Sequence, residues 1–551
     1  MCARQDDHFR NWLTALGLGD LLAEERFAGG PMRFRSSADI RELEALIRER
    51  MLQRTSDEWM HLFTAEFDVG ADPFLTSAEF LEHPQMVLND RVVEIEDPER
   101  GTVRQLGLLA QLSETPGSVR TSAPRLGEHQ SMLDSVAASG PARPYLAPTQ
   151  PPQHVQDGTT VPLPLAGVTV VELAFFLAGP LGATLLSELG ARVIKVEPPG
   201  GDPYRRLGLE FVHLVHGKES IALDLKSDEG RRIVHQLVAG SDAVLHSFRP
   251  GVVERLGVDY ESVRRINPRI VYAYGSAYGS RGPQSHRAAF HSTPNALNGG
   301  GIVQAGRGNP PVDDSYPDPC SGLGVAVGMV MALLARERTG AGQYVETTML
   351  CSSGYVHSGN LVRYEGVREA PMPDAQQMGP HALYRLYRCS TGWLFVGAVR
   401  DHEVAALGAA VGDPAWFGDL AARSLTDAAA DAELAGRLGA VFAGDDAHHW
   451  ENLLQGHDVP AASAGDGSIE EFLVGEGMVS AGEHAGFGTY WQLPSRVRFS
   501  DCGMPKAGPA ACGENTVSIL TELGYSLDDV DRLTGSGVVI PAAPAAAAYG
   551  R

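Results

Sequence analysis

Leu165-Ala166-Gly167-Val168-Thr169-Val170-Val171-Glu172-Leu173, followed by Ala178-Gly179-Pro180 and by Arg192-Val193-Ile194-Lys195-Val196-Glu197, is the stretch whose reading decides the fold. A short β-branched run leads through a small-residue turn into an apolar helix ending at Leu189, and Gly190-Ala191 then opens a second β-branched run. Strand, tight turn, helix and strand make a βαβ unit, which predicts a parallel, Rossmann-like α/β sheet. The alternation continues downstream, with strands expected at 220–225, 242–246 and 269–274 and a helix at 227–239. A nicotinamide-binding domain opens the same way, and Glu197 stands where a ribose-binding acid would be. The turn Ala178-Gly179-Pro180-Leu181-Gly182-Ala183 lacks the G-x-G-x-x-G spacing, however, which argues against dinucleotide binding.

Further along, Asp318-Pro319-Cys320-Ser321-Gly322 precedes an apolar run to Leu334. Val325, Val327, Met329, Val330, Met331, Leu333 and Leu334 cover nearly the whole circumference, with Gly322, Gly324 and Gly328 interleaved. The pattern predicts a buried helix packed closely on its neighbours. Asp318 at its mouth is either an N-cap or a reactive carboxylate, kept ionised by the helix dipole and facing backbone N–H groups able to hold an oxyanion. A hairpin is expected over 384–399.

The totals narrow the function classes. At 551 residues the chain is long enough for two or three domains. No run reads as long and apolar enough to span a bilayer, and residues 1–8 lack the apolar centre of a signal peptide, so a soluble, cytoplasmic protein is expected. The six cysteines, Cys2, Cys320, Cys351, Cys389, Cys502 and Cys512, show neither disulfide nor zinc spacing. A net charge of −23 argues against nucleic acid or an anionic membrane as partner. An anionic ligand then needs a local basic pocket.

A repeat organises the chain. In one order and with small gaps, Asp7-His8 matches Asp401-His402, Trp59 matches Trp450 and Asp68-Val69 matches Asp458-Val459. Glu79-Phe80-Leu81 then matches Glu471-Phe472-Leu473, Gly101-Thr102 with Gln105-Leu106 matches Gly488-Thr489 with Gln492-Leu493, and Gly127-Glu128 matches Gly513-Glu514. Residues 1–138 thus read as the rear half of one domain, 139–164 as a Pro-rich linker, 165–535 as a complete copy and 536–551 as a disordered tail. Such a half domain has apolar faces to be covered by the second domain, by another copy or by a related partner subunit.

Leu165-Ala166-Gly167-Val168, Leu189-Gly190-Ala191-Arg192-Val193-Ile194-Lys195-Val196-Glu197-Pro198, Gly201-Asp202-Pro203-Tyr204-Arg205, Lys218-Glu219-Ser220-Ile221-Ala222-Leu223-Asp224, Phe248-Arg249-Pro250-Gly251 and the 318–343 block together resemble the family III (CaiB/BaiF) CoA-transferases, which share a fold with α-methylacyl-CoA racemases. The resemblance implies a large parallel-sheet domain with a small α+β domain, an interlocked homodimer, and no permanently bound cofactor, acyl-CoA and a carboxylic acid being the substrates. It puts Asp318 on the covalent nucleophile of the transferases and Ala178, Lys218, Ser247, Phe248 and Arg255 where coenzyme A is bound. Ser247 replaces a common Asn there, and Pro198 stands where an Arg often sits. His291 falls on the catalytic histidine of the racemases, so a racemase using His291 and Asp318 is the alternative, against a reading of His291 as a simply packed histidine. Arg400 takes the place of a racemase glutamate, where it would instead hold an acceptor acid. A CoA-ester-binding or scaffold subunit with little activity of its own is the third reading. Cys320 reads as a packed thiol and His448-His449 as surface residues, whereas Lys195, Arg205 and Arg206 either meet phosphate or are solvated.

Overall fold

In the computed structural model of the chain, residues 6–139 and 161–542 are described, apart from 28–29, 31–33, 35, 314–315, 413–414, 466, 485–487, 494–496, 498, 500–501 and 503–507. Most of the expected linker and of the expected tail lie outside these residues. The N-terminal portion starts with helices α1 (Asp6–Ala15), α2 (Ser37–Met51), α3 (Ser56–His61) and α4 (Ser77–Glu82). Capping boxes start two of them, Thr55 with Glu58 on α3 and Thr76 with Glu79 on α4. Strands β1 (Val92–Asp97) and β2 (Gly101–Leu106) form an antiparallel hairpin, and a short strand β3 (Ala110–Leu112) follows.

The βαβ stretch folds as its pattern predicts. Strand β4 (Thr169–Leu173), helix α5 (Ala178–Glu188) and strand β5 (Arg192–Glu197) are followed by β6 (Glu219–Leu223), α6 (Asp228–Ala239), β7 (Ala243–His246) and β8 (Val271–Ser276). The long helix α7 (Pro317–Thr339) then leads into β9 (Tyr344–Thr348). Hydrogen bonding orders these strands β6-β5-β4-β7-β8-β9, all parallel, so the direction of winding reverses between β4 and β7. That is the doubly wound order, and ligands bind in the crevice its reversal opens at the carboxyl ends of the strands. Core side chains such as Val170, Val193, Leu245 and Val271 lie against Val325, Met329 and Leu333 of α7. α7 is nonetheless buried only on its inner side. Leu323, Val327, Met331 and Leu334 form an exposed outer stripe, which corrects the expectation of a helix buried all round. By length and composition α7 is also able to cross a membrane, which overturns the expectation that no segment is; half of its apolar window is buried here against the sheet.

The apolar faces of the N-terminal portion are covered by the second domain. β3 adds antiparallel to β9 at the sheet edge, and β2 pairs with β10 (Val362–Arg363). Gln85 and Asn89, both buried, donate from their side-chain amides to the carbonyls of Tyr278 and Arg281. The chain continues through the hairpin β11 (Tyr384–Arg388) and β12 (Trp393–Gly397), helix α8 (Ala447–Gly456), strand β13 (Ala461–Ala464), helix α9 (Ile469–Gly475) and the two-stranded pair β14 (Ser480–His484) and β15 (Gly488–Gln492). The tail reading fails at one point. Strand β16 (Val539–Ile540) closes the far edge beside β6, with Val539 fully buried, because that edge needs a partner and the β-branched Val538-Val539-Ile540 supplies one.

Candidate functional site

Two helices bring the reacting region together. A Cβ on Gly182 of α5 would lie 2.7 Å from Val325 Cγ1 of α7, and one on Gly322 would lie 3.0 Å from Leu181. The missing side chains let α5 and α7 touch along their backbones, so their N-termini open side by side above the β4–β7 switch point. Between them is a cleft of about 670 Å³, in the range of small-molecule sites. Ala178 begins α5 on one wall, Ser247 and Phe248 follow β7, and Asp318 stands in the first turn of α7. Phe175 meets Phe248 edge to face at 5.4 Å, and the Phe175 N–H donates to Ser247 Oγ at 3.2 Å. Arg255, exposed at the rim, has no ion-pair partner among the described residues.

Asp318 is not an N-cap. The helix starts at Pro317 with Tyr316 before it, and the Asp318 carboxylate faces His291, Oδ2 lying 3.5 Å from Nδ1. The expected row of backbone donors is also thinner than a helix start normally offers. Pro317 and Pro319 carry no N–H, and that of Cys320 is bonded to the Tyr316 carbonyl. The positive partner of Asp318 is therefore an imidazole rather than a comb of amides. On its other side His291 places Nε2 3.2 Å from Asp313 Oδ2. Asp313 is itself held by the Ser292 hydroxyl at 2.6 Å and the Asn295 amide at 3.1 Å. The Asp313 carboxylate foremost, then Asp318, holds the His291 pKa up at about 9. At neutral pH the group is an imidazolium with a carboxylate at each nitrogen.

Four residues named from the sequence come together here, Ala178, Ser247, Phe248 and Asp318, with His291 and Arg255 on the same walls. Lys218 does not join them. Its ammonium is buried beneath α5, 2.6 Å from Glu172 Oε2 and 2.7 Å from the Pro180 carbonyl. Lys195 completes the cluster at 2.9 Å from Glu172 and 3.0 Å from Asp202, and Arg205 pairs with buried Glu197 at 2.6 Å. These cations are neither solvated nor open to phosphate, and desolvation pushes Lys218 down to about 8. Arg400 is also outside the cleft, bonded through Nε to Glu403 at 2.7 Å, and cannot hold an acceptor acid there. His448 and His449 are exposed on α8 as expected.

The sequence reading missed Asp313 and the contribution of the N-terminal portion. His8 lines the cleft and meets Phe290 edge to face at 5.8 Å. Asp68 binds Arg249 at 3.0 Å, and Asp72 lies 3.4 Å from Arg287, both arginines lining the same cleft. Burial pushes the Asp72 carboxyl up to about 7 and sets it against the Tyr278 hydroxyl. The repeat gave one signal for this wall: Asp7-His8 and Asp68 are among the residues that recur.

Comparison with known proteins agrees with this architecture. The family described as CoA-transferase family III matches residues 1–130 and 165–516. Succinyl-CoA:glutarate CoA-transferase of Mus musculus is 31% identical over 395 residues, 68% of this chain and 90% of the relative. Acetyl-CoA:oxalate CoA-transferase of Acetobacter aceti is 34% identical over 262 residues, 46% of this chain and 67% of the relative. Among solved structures, Rv3272 of M. tuberculosis aligns with a TM-score of 0.56 at 25% identity, covering 66% of this chain and all of the other. A CaiB/BaiF family protein of Brucella suis aligns with a TM-score of 0.52 at 28% identity, over 66% of this chain and 100% of that protein.

Proposed function

The chain belongs to CoA-transferase family III, and on that premise we propose that it moves coenzyme A from an acyl-CoA thioester to a carboxylic acid through a covalent intermediate on Asp318. The observation that carries this is the placement of a partly buried carboxylate, away from any capping role, at the mouth of a cleft walled by Phe175, Phe248 and Arg255. In the proposed cycle an Asp318 oxygen attacks the thioester carbonyl carbon, the C–S bond breaks, and CoA thiolate leaves a mixed anhydride. The thiolate then attacks the aspartyl carbonyl, releasing the acyl group as its carboxylate and leaving an aspartyl–CoA thioester. The acceptor carboxylate repeats the two steps in reverse, so Asp318 is regenerated and no net proton is consumed. His291 contributes an N–H that faces Asp318 at rest and the oxyanion as charge passes from the carboxylate to the attacked carbonyl. Phe248 with Phe175 offers an aromatic slot for adenine, and Arg255 an unpaired cation for phosphate.

The racemase alternative asks His291 and Asp318 to face opposite sides of one carbon. Here Nδ1 and Oδ2 face each other at 3.5 Å, with no room for a carbon between them, and Arg400 is turned away. The transferase reading needs no such separation. A homodimer is proposed to form through the exposed α7 stripe; light scattering should then report a smaller assembly for Val327→Asp. Intact-protein mass spectrometry after incubation with a panel of acyl-CoAs tests the chemistry. A CoA-sized or acyl-sized adduct lost in Asp318→Ala is expected. No adduct, with solvent deuterium entering the substrate α-position without an acceptor acid, would establish the racemase instead, and neither outcome despite acyl-CoA binding would leave a binding subunit.

A further inference from the structure

Phe176 holds a backbone angle that its side chain disfavours. Its φ is 64°, and the other described non-glycine residues with positive φ are Asp68, Asp90, Gln377 and Asp458. An aspartate supports this region through its short polar side chain and a glycine enters it freely, but a bulky aromatic residue clashes with its own backbone there. The turn between β4 and α5 is fixed from two directions. The Phe175 N–H donates to Ser247 Oγ at 3.2 Å, and the Phe176 N–H to Asp202 Oδ1 at 3.4 Å. Asp202 is buried and ion-paired with Lys195 at 3.0 Å. Strain of this kind persists only where the surroundings over-determine it, and it gathers at functional sites. Glycine would make the same turn without strain, so it is the ring that the position retains.

That ring meets Phe290 edge to face, at 5.4 Å and an interplanar angle of 88°, and Tyr204 at 6.0 Å. Phe290 immediately precedes His291 at the end of residues 277–291, a stretch with neither helix nor strand. Regular helical hydrogen bonding begins only after it, in the short helix Ser292–Leu297. The carboxylates of Asp313 and Asp318 draw the His291 imidazole from both sides, but charge attraction is weakly directional. An edge-to-face ring pair has a preferred geometry and supplies the missing direction. We propose that Phe176 is a positioning residue for His291, its ring fixing Phe290 and, through Phe290, the imidazole that faces Asp318. Phe175 turns to Phe248 while Phe176 turns to Phe290, so one strained turn serves both the aromatic slot and the reacting end of the cleft. The kinetic consequence rests on the transferase reading given above; the placement of His291 does not.

Deuterium exchange at the C2 carbon of the His291 imidazole, followed by mass spectrometry across pH in the full-length chain, reads the placement directly. In Phe176→Leu and Phe176→Gly the midpoint should fall from about 9 by about one pH unit or more, as the imidazole drifts from its two carboxylates. Adduct formation from acyl-CoA should slow about ten- to a hundredfold while KM stays within about twofold. The glycine variant separates this role from a structural one, because it relieves the backbone, and a residue that only shaped the turn would lose nothing by it. Phe290→Leu leaves the turn intact and should reproduce both effects; it decides the matter if the Phe176 variants do not fold. Combining Phe176→Leu with Phe290→Leu should be no slower than the slower single variant, since both break the same contact. A folded Phe176→Gly or Phe290→Leu chain whose midpoint stays near 9 overturns the proposal. So does a raised KM with the midpoint in place, which would make the ring a substrate contact. A wild-type chain that forms no adduct counts against the transferase reading instead, and the midpoints still decide the placement of His291.

Discussion

Asp313→Asn is the perturbation that most directly probes the electrostatics around Asp318. His291 is held at about 9 against an ordinary value of 6.5. At about 1.4 kcal/mol per pH unit, the surroundings of the ring, in which the two carboxylates outweigh the cost of burial, stabilise the imidazolium by about 3.4 kcal/mol net. Asp313 is the nearer, 3.2 Å against 3.5 Å, and contributes first, so its loss should lower the midpoint by about 1.5 pH units, or about 2 kcal/mol. Asparagine can still accept from the Asn295 amide through its one carbonyl oxygen, and its NH2 group, in the place of Oδ2, can donate to the Ser292 hydroxyl, which keeps the loop in place. Bulk stability against pH is the wrong readout. The raised His291 pKa gives a contribution complete below 6.5 and lost as pH rises through 9, whereas Lys218, lowered to about 8, makes the fold more stable as pH rises from 8 toward 10.5. The two trends oppose each other where their windows overlap, between about 8 and 9. Deuterium exchange at the imidazole C2 carbon, followed by mass spectrometry across pH 5 to 11, isolates the single ring. A wild-type midpoint near 6.5, or one near 9 that Asp313→Asn leaves in place, would refute the reasoning. If His291 serves the reaction as a cation, the alkaline limb of adduct formation should move down with the same midpoint.

Three further outcomes follow from the packing. Lys218→Met should destabilise the fold by about 3 kcal/mol, because it leaves Glu172 and Asp202 with only Lys195, yet leave acyl-CoA affinity unchanged in the folded fraction; chemical denaturation and ligand titration read the two effects separately. Arg255→Ala should raise the KM for acyl-CoA about tenfold, near 1.4 kcal/mol, with kcat little altered, since a phosphate contact acts on ground and transition states alike. Gly182→Val puts a branched side chain where a bare Cβ already lies 2.7 Å from Val325, so a loss of about 1 to 3 kcal/mol is expected, with a larger fall in kcat than in binding because Asp318 moves with α7. A fully active Gly182→Val enzyme would show that the α5–α7 contact does not position Asp318.

Local pattern carried most of the fold. β-branched runs separated by capped helices of suitable length leave few ways to wind a sheet, and the β4 to β9 strands fell within a few residues of where alternation put them. Asp318 was legible as a candidate, but its surroundings were misjudged although the information was present: prolines at 317 and 319 exclude the very donors first assigned to that helix start. Lys218 failed for a different reason. One residue before a strand, a cation can reach up to a ligand or down beneath a helix, and only the position of Glu172 below α5 decides between them. The exposed stripe of α7 was invisible because an all-round apolar helix looks the same whether its outer face meets its own chain, a second protomer or water. The wall made by His8, Asp68 and Asp72 joins segments more than 180 residues apart, a distance that no periodicity reports.

Joining that wall to the sheet in one chain has a consequence for recognition. Tethering makes docking intramolecular, so the N-terminal portion is held at a high effective concentration without having to be stable alone. The docked wall takes Arg249 and Arg287 into ion pairs with Asp68 and Asp72 and leaves Arg255 and the His291 imidazolium as the cleft cations not bound by it. In the proposed reaction, substrate anions would meet two sites of different kind: an exposed guanidinium at the rim suited to phosphate, and an imidazolium already balanced by two carboxylates beside Asp318. In the proposed cycle a small acceptor acid would gain little by pairing with His291 at rest and more once Asp318 had become an acyl or thioester group and surrendered its charge. On that proposal the carboxylate that starts the reaction would also set when the acceptor can bind, and the order of the two half-reactions would follow from charge.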